Sequence, residues 1–149
     1  MSLKTRLLED IKQAMRAGDR TRLTTLRMAT AAIKQREVDE RSEVSDEDVV
    51  QIIEKMIKQR RESVSQFRQG GREERAAAEQ AEIEVLADYL PEPLDQATLD
   101  QMIDQAIADS GAARVADMGR VMAALKPKVQ GRADMREVST RVRSRLTAD

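Results

Sequence analysis

The stretch Lys126-Pro127-Lys128-Val129-Gln130-Gly131-Arg132-Ala133-Asp134 points most directly to chemistry. Lys126, Lys128 and Arg132 place three positive charges within seven residues, and Arg136 adds another just beyond. The spacing predicts a loop from Lys126 to Ala133, stiffened by Pro127 and turned at Gly131. Asp134 then opens a helix whose first N–H groups have no partner within the helix. Cations beside free amides can position a phosphate. A plainer reading stands beside it, in which Arg132 pairs with Asp134 and the lysines only keep the loop solvated. Spacing alone does not choose between them.

Other candidates carry less. Asp100 and Asp104 lie one helical turn apart, but Ala108 follows in that row, so no third oxygen ligand converges for a hard metal. They read as a solvated face, as do Glu79, Glu82 and Glu84. Gly70-Gly71 precedes a helix that begins with Glu73 and Glu74, and these complement the helix dipole while repelling an anion. Lys55, Lys58, Arg60, Arg61 and Arg68 form a basic run that Glu62 interrupts and Glu54 pairs into at Lys58, so a solvated helix face is expected. The chain has no Cys, His or Trp. Thiolate nucleophiles, histidine dyads, disulfides and the usual zinc sites are therefore excluded. No catalytic residue, metal or cofactor is expected.

The elements that must position these residues are helices. Charged residues make up 36% of the chain and hydrophobic ones 40%, and only Phe67 and Tyr89 are aromatic. Ala, Leu, Glu, Gln, Lys and Arg dominate, which is helix composition. A first helix has the stripe Leu3, Leu7, Ile11, Ala14 and Met15 between a Ser2 cap and Gly18. Asp19 opens a second, with Leu23, Leu26, Thr30 and Ile33 on one face. Ser45 and Asp48 form a capping-box start for a third, which Val49, Ile53, Met56, Ile57, Val64 and Phe67 extend to Gln69. The fourth, Glu73 to Tyr89, should bury Ala77, Ala81, Ile83, Leu86 and Leu90.

Pro91-Glu92-Pro93 marks a boundary between residues 1–90 and 94–149. Beyond it, Asp95 caps a helix through Ile107, Met118 to Leu125 makes a short one, and Val138, Val142 and Leu146 line the last. The expected fold is all-α: a bundle or hairpin of four long helices followed by a small three-helix module. A module so small should lean on the first part. Net charge is −1 overall, yet residues 72–110 sum to −9 while residues 111–149 sum to +5. That basic tail either meets an anionic partner or docks on the acidic middle. No run of about 18 apolar residues could span a bilayer, and no membrane partner is expected. Met1 to Asp10 reads as an amphipathic helix rather than a targeting signal, so cytoplasm is the expected location.

Several segments, in order and spread over nearly the whole chain, carry a resemblance. They are Leu26-Arg27-Met28, Ala31-Ala32-Ile33-Lys34, Lys58-Gln59-Arg60-Arg61-Glu62-Ser63, Gly71-Arg72-Glu73-Glu74, Tyr89-Leu90-Pro91-Glu92, Ala116-Asp117-Met118-Gly119-Arg120-Val121-Met122 and Lys126 through Asp134. Together they resemble the YqeY family. Ala123 and Met135 depart from it, standing where the family usually has glycine. The resemblance implies a C-terminal module similar to the tail domain of the B subunit of tRNA-dependent Asp/Glu amidotransferase. That enzyme is a carbon–nitrogen ligase that uses glutamine as nitrogen donor, and its catalytic parts are not present in this chain. The function so implied is a tRNA-binding or amidotransferase-associated accessory protein, without catalysis of its own. Its partners would be tRNA and an amidotransferase or aminoacyl-tRNA synthetase, and the family's loop maps onto Lys126, Lys128, Gly131, Arg132 and Asp134. With Arg136 added from the charge pattern, the phosphate-binding candidates are Lys126, Lys128, Gly131, Arg132 and Arg136. The alternative is a protein–protein adaptor that binds no nucleic acid.

Overall fold

The computed structural model describes residues 1–147 and is all-helical, with seven α-helices and no strand among those residues. The chain divides into two compact units, Met1–Leu90 and Pro91–Asp149.

The first unit holds α1 (Leu3–Ala17), α2 (Arg20–Glu40), α3 (Asp46–Gln69) and α4 (Glu73–Ala87). Local signals set the ends. Ser2 and Asp19 each cap a helix by accepting from the backbone three residues on. Gly18 closes α1 at φ 69°, where a side chain would strain. Ser45 and Asp48 make the expected reciprocal box at the start of α3. α3 and α4 form the most extensive helix pair, and α1 lies on α2. Leu7, Leu26, Ile33, Ile53 and Leu86 fill the core with almost no exposure.

Several expected stripes shift. Ala76, not Ala77, is buried on α4, because Ala76 and Ile83 stand two turns apart on the face that meets α3. Met15 is 55% exposed, and α2 buries Thr25 and Ala29 where Leu23 and Thr30 were expected. Thr25 is tolerated inside because its hydroxyl donates to the Thr21 carbonyl one turn back, at 2.7 Å. The basic run on α3 is not a solvated face throughout, since Arg60 is 7% exposed. Its Nε meets Glu82 Oε2 at 3.2 Å, and its Nη1 donates to the Met56 carbonyl at 3.2 Å. Glu82 therefore holds a buried cation, which corrects its reading as a solvated acid. Nor does Glu54 pair with Lys58. Its Oε1 is buried without a hydrogen-bond partner, and that burial pushes its carboxyl up from the ordinary range.

The second unit holds α5 (Gln96–Ser110), a 3-10 turn (Val115–Asp117), α6 (Met118–Val129) and α7 (Met135–Leu146). Its own core is Leu99, Ile103, Val121, Leu125, Val129, Val138, Val142 and Leu146. Lys126 to Val129 is not loop, as expected from Pro127, but the last turn of α6. Val121, Leu125 and Val129 stand four apart and are all fully buried, so apolar burial continues the helix through the proline. Pro127 gives up one backbone donor there, and Gln130 N still closes on the Lys126 carbonyl at 3.0 Å.

Candidate cationic surface of the C-terminal unit

The α6–α7 connection is built around one carbonyl. Both Arg132 N and Ala133 N donate to Val129 O, at 2.9 and 3.1 Å, and Gly131 at φ 78° permits the reversal. Asp134 then caps α7 by accepting from Arg136 N at 2.9 Å. A carboxylate thus already sits where a phosphate would approach this helix end. Met135 takes an ordinary helical conformation and packs on the second core, so the family's glycine is not required there. Ala123 is exposed, so it is not the small residue of a close helix contact.

The four candidate cations divide. Lys126 and Lys128 are exposed on the last turn of α6, where they also complement the negative end of its dipole. Arg136 is exposed on α7. Arg132 is half-buried and serves the fold. Its Nε donates to Glu92 O at 3.1 Å, and its carbonyl accepts from Leu94 N at 2.9 Å. It fastens the segment after Pro91 to the α6–α7 turn, and no ion pair joins it to Asp134 among the described residues.

α7 presents three kinds of face. Met135, Val138, Val142 and Leu146 face the core. Glu137, Arg141 and Arg145 form a charged row beside α5. Arg141 meets Asp100 at 2.7 Å, and Arg145 meets Asp100 at 2.9 Å and Asp104 at 2.6 Å. Hydrogen bonds from Arg145 and then Arg141 hold the Asp100 carboxyl below its ordinary range. The two aspartates are therefore the acidic half of an interhelical ladder. The third face carries Arg136, Thr140 and Arg143, all exposed.

Lys126, Lys128, Arg136 and Arg143 thus enter no ion pair among the described residues, whereas Arg120, Arg141 and Arg145 are neutralised by acids of the same unit. Arg143 escaped the reading of the loop. Its signal is a position two helical turns beyond Arg136, which returns it to the same face. Among the described residues, no group of three or more acidic side chains is placed to hold a metal, and no helix is long and apolar enough to cross a membrane.

A family model described as Yqey-like protein matches residues 4–146. Among curated proteins, the chain is similar to altered inheritance of mitochondria protein 41, mitochondrial, of Eremothecium gossypii. The two are 38% identical over 85 residues, which cover 56% of this chain and 46% of that protein. The same-named protein of Pyrenophora tritici-repentis is 29% identical over 140 residues, 92% of this chain and 77% of that one. That of Saccharomyces cerevisiae is 28% identical over 140 residues, 93% and 74% respectively. The chain spans about half the length of the Eremothecium relative it matches. All three relatives are named mitochondrial, and this overturns the expectation of a cytoplasmic protein.

Proposed function

The chain belongs to the YqeY family, and from that membership we propose that its C-terminal unit grips the phosphate backbone of tRNA as an accessory to tRNA amidation. The carrying observation is the sorting of charge on α6 and α7. Arginines near acids are consumed by the fold, while Lys126, Lys128, Arg136 and Arg143 remain exposed and unpaired among the described residues. Cations left free in this way are available to replace counterions on a nucleic-acid backbone.

The grip is by charge and shape. With Phe67 and Tyr89 the sole aromatic residues, and both in the first unit, the second has no platform on which to stack a base. The small three-helix unit would act as the amidotransferase tail does by resemblance, holding RNA for chemistry performed by another protein. The partner enzyme would be an amidotransferase or an aminoacyl-tRNA synthetase. Neither of the roles assigned to Gly131 and Arg132 is direct contact: both shape the α6–α7 turn that joins the helix carrying the lysines to the one carrying Arg136.

The test is a titration of the full chain with bulk tRNA and with a DNA duplex at several salt concentrations. Wild type should prefer tRNA and weaken steeply with salt. Lys126→Glu, Lys128→Glu and Arg136→Glu combined should lower affinity at least about tenfold and flatten the salt slope. Undiminished binding by this variant sinks the assignment. Absence of binding by wild type at low salt favours the adaptor reading, which draws on a groove of about 260 Å³ between α1 and α2, lined in part by the exposed Leu8.

A further inference from the structure

Two segments singled out in the sequence, Leu26-Arg27-Met28 and Lys58 through Ser63, have no part in the proposed RNA grip. They meet in the first unit. Met28 lies on α2 and is 46% exposed, while Arg60 on α3 is 7% exposed. Arg60 Nη2 points at Met28 Sδ from 3.5 Å, its other nitrogens being engaged by Glu82 and the Met56 carbonyl. A buried guanidinium thus directs a proton at a thioether, which is a weak acceptor.

We propose that Met28 is a site of oxidation by hydroperoxides, whose sulfoxide is captured by Arg60. The chain has no Cys, His or Trp, and Tyr89 is 2% exposed, so methionine is its principal oxidisable side chain. Sδ takes one oxygen atom from the peroxide: the O–O bond breaks, sulfur gives up two electrons, and water leaves when the oxidant is hydrogen peroxide. The sulfoxide oxygen is a strong, partly negative acceptor. Beside Arg60 it would convert a weak contact into a charge-assisted hydrogen bond joining α2 to α3. Oxidation of methionine normally disrupts packing, but here the fold already holds the donor that the product needs.

Met15 supplies an internal comparison. It is 55% exposed, and Arg27 Nη2 lies 3.8 Å from its sulfur. Arg27 is itself exposed, so water competes for any sulfoxide formed there. Met15 should oxidise readily without stabilising the fold. Met56, 8% exposed, should oxidise late.

The experiment treats the full chain with hydrogen peroxide and follows each methionine by peptide mass spectrometry. Met28 and Met15 should react roughly tenfold faster than Met56, as susceptibility follows exposure. Melting is then compared before and after oxidation in wild type and in Met28→Leu, and the difference between their two shifts isolates residue 28. That difference should be upward by roughly 2 °C or more, and Arg60→Leu should abolish it. If Arg60→Leu fails to fold, the wild-type and Met28→Leu pair still decides. Oxidation of Met28 no faster than Met56, or an isolated shift that is nil or downward, overturns the proposal.

Discussion

Arg60 in the first unit and Arg145 in the second make ion pairs of opposite character. Arg60 is sealed between long helices, its side chain 9% exposed and its partner Glu82 24%. Arg145 spans α5 and α7 near the surface, with 29% exposure and partners Asp100 and Asp104 at 43% and 65%. The first unit uses charge as part of its interior. The second keeps charge outside an apolar core, engages Arg141 and Arg145 in a ladder and Arg120 with Asp117, and leaves Lys126, Lys128, Arg136 and Arg143 without an ion pair among the described residues. The same residue type is therefore sealed into the interior in one unit and held at the surface in the other, and the count of positive charges alone does not distinguish them.

Removing Arg60 should give the largest effect and test that distinction directly. Arg60→Leu leaves Glu82 beside Glu79, whose carboxyl is already pushed up by burial and then by the like charge of Glu82. It also strands the Met56 carbonyl. The expected loss is about 3 kcal/mol, the usual consequence of breaking a buried pair from one side, measured by urea unfolding. A loss below about 1 kcal/mol would place Arg60 with the surface pairs.

Tyr89 comes next. Its hydroxyl donates to Asp10 Oδ2 at 2.5 Å, and the Arg6 guanidinium lies 4.7 Å from its ring centre. Burial, then the bond to Asp10, push its ionisation up to about 12. Tyr89→Phe should cost about 1–2 kcal/mol at neutral pH. Because the folded value exceeds the ordinary value of 10.0, this stabilisation is complete below pH 10. It is lost as pH rises from there towards 12, since the unfolded chain releases the proton first. Urea midpoints should fall across that window in wild type and less steeply in Tyr89→Phe. Equal slopes would show that another group governs the alkaline limit.

Helix identity was legible because it rests on short-range signals: the caps at Ser2, Asp19, Ser45, Asp95 and Asp134 all form as their spacing implies. What a charged residue faces was not legible. Arg60 sits in a basic run that looks uniformly solvated, and nothing local reveals that Glu82, 22 positions later, comes to its side. Glu54 illustrates the reverse, since its spacing to Lys58 suits a helical pair but its Oε1 is turned into the protein. At the candidate site, Pro127 spoke for a loop while the row Val121, Leu125 and Val129 spoke for a helix, and burial outweighed the proline. Arg132 was legible as important but not as structural, because its partners are the backbone of Glu92 and Leu94, some forty residues back.

The ladder should matter less than Arg60. Arg145→Leu removes contacts to Asp100 and Asp104, yet both acids stay within reach of water. The expected loss is roughly a third of that for Arg60→Leu and should shrink further in high salt, where exposed pairs are screened. A loss as large as that of Arg60→Leu, or one insensitive to salt, would show that the second unit also depends on sealed charge.

The smallest expected effect is the one that most sharpens the contrast. Lys126→Glu with Lys128→Glu reverses two exposed charges that enter no ion pair among the described residues. Their only structural credit is proximity to the negative end of α6, which is worth a few tenths of a kcal/mol for each exposed cation. Stability should therefore change by no more than about 0.5–1 kcal/mol, the double reversal being the upper bound. Hydrogen exchange along α6 and α7 should stay near wild type. Marked loss of protection in α6 would mean that the lysines hold the helix through its proline, and the free charge of the second unit would then be structure after all.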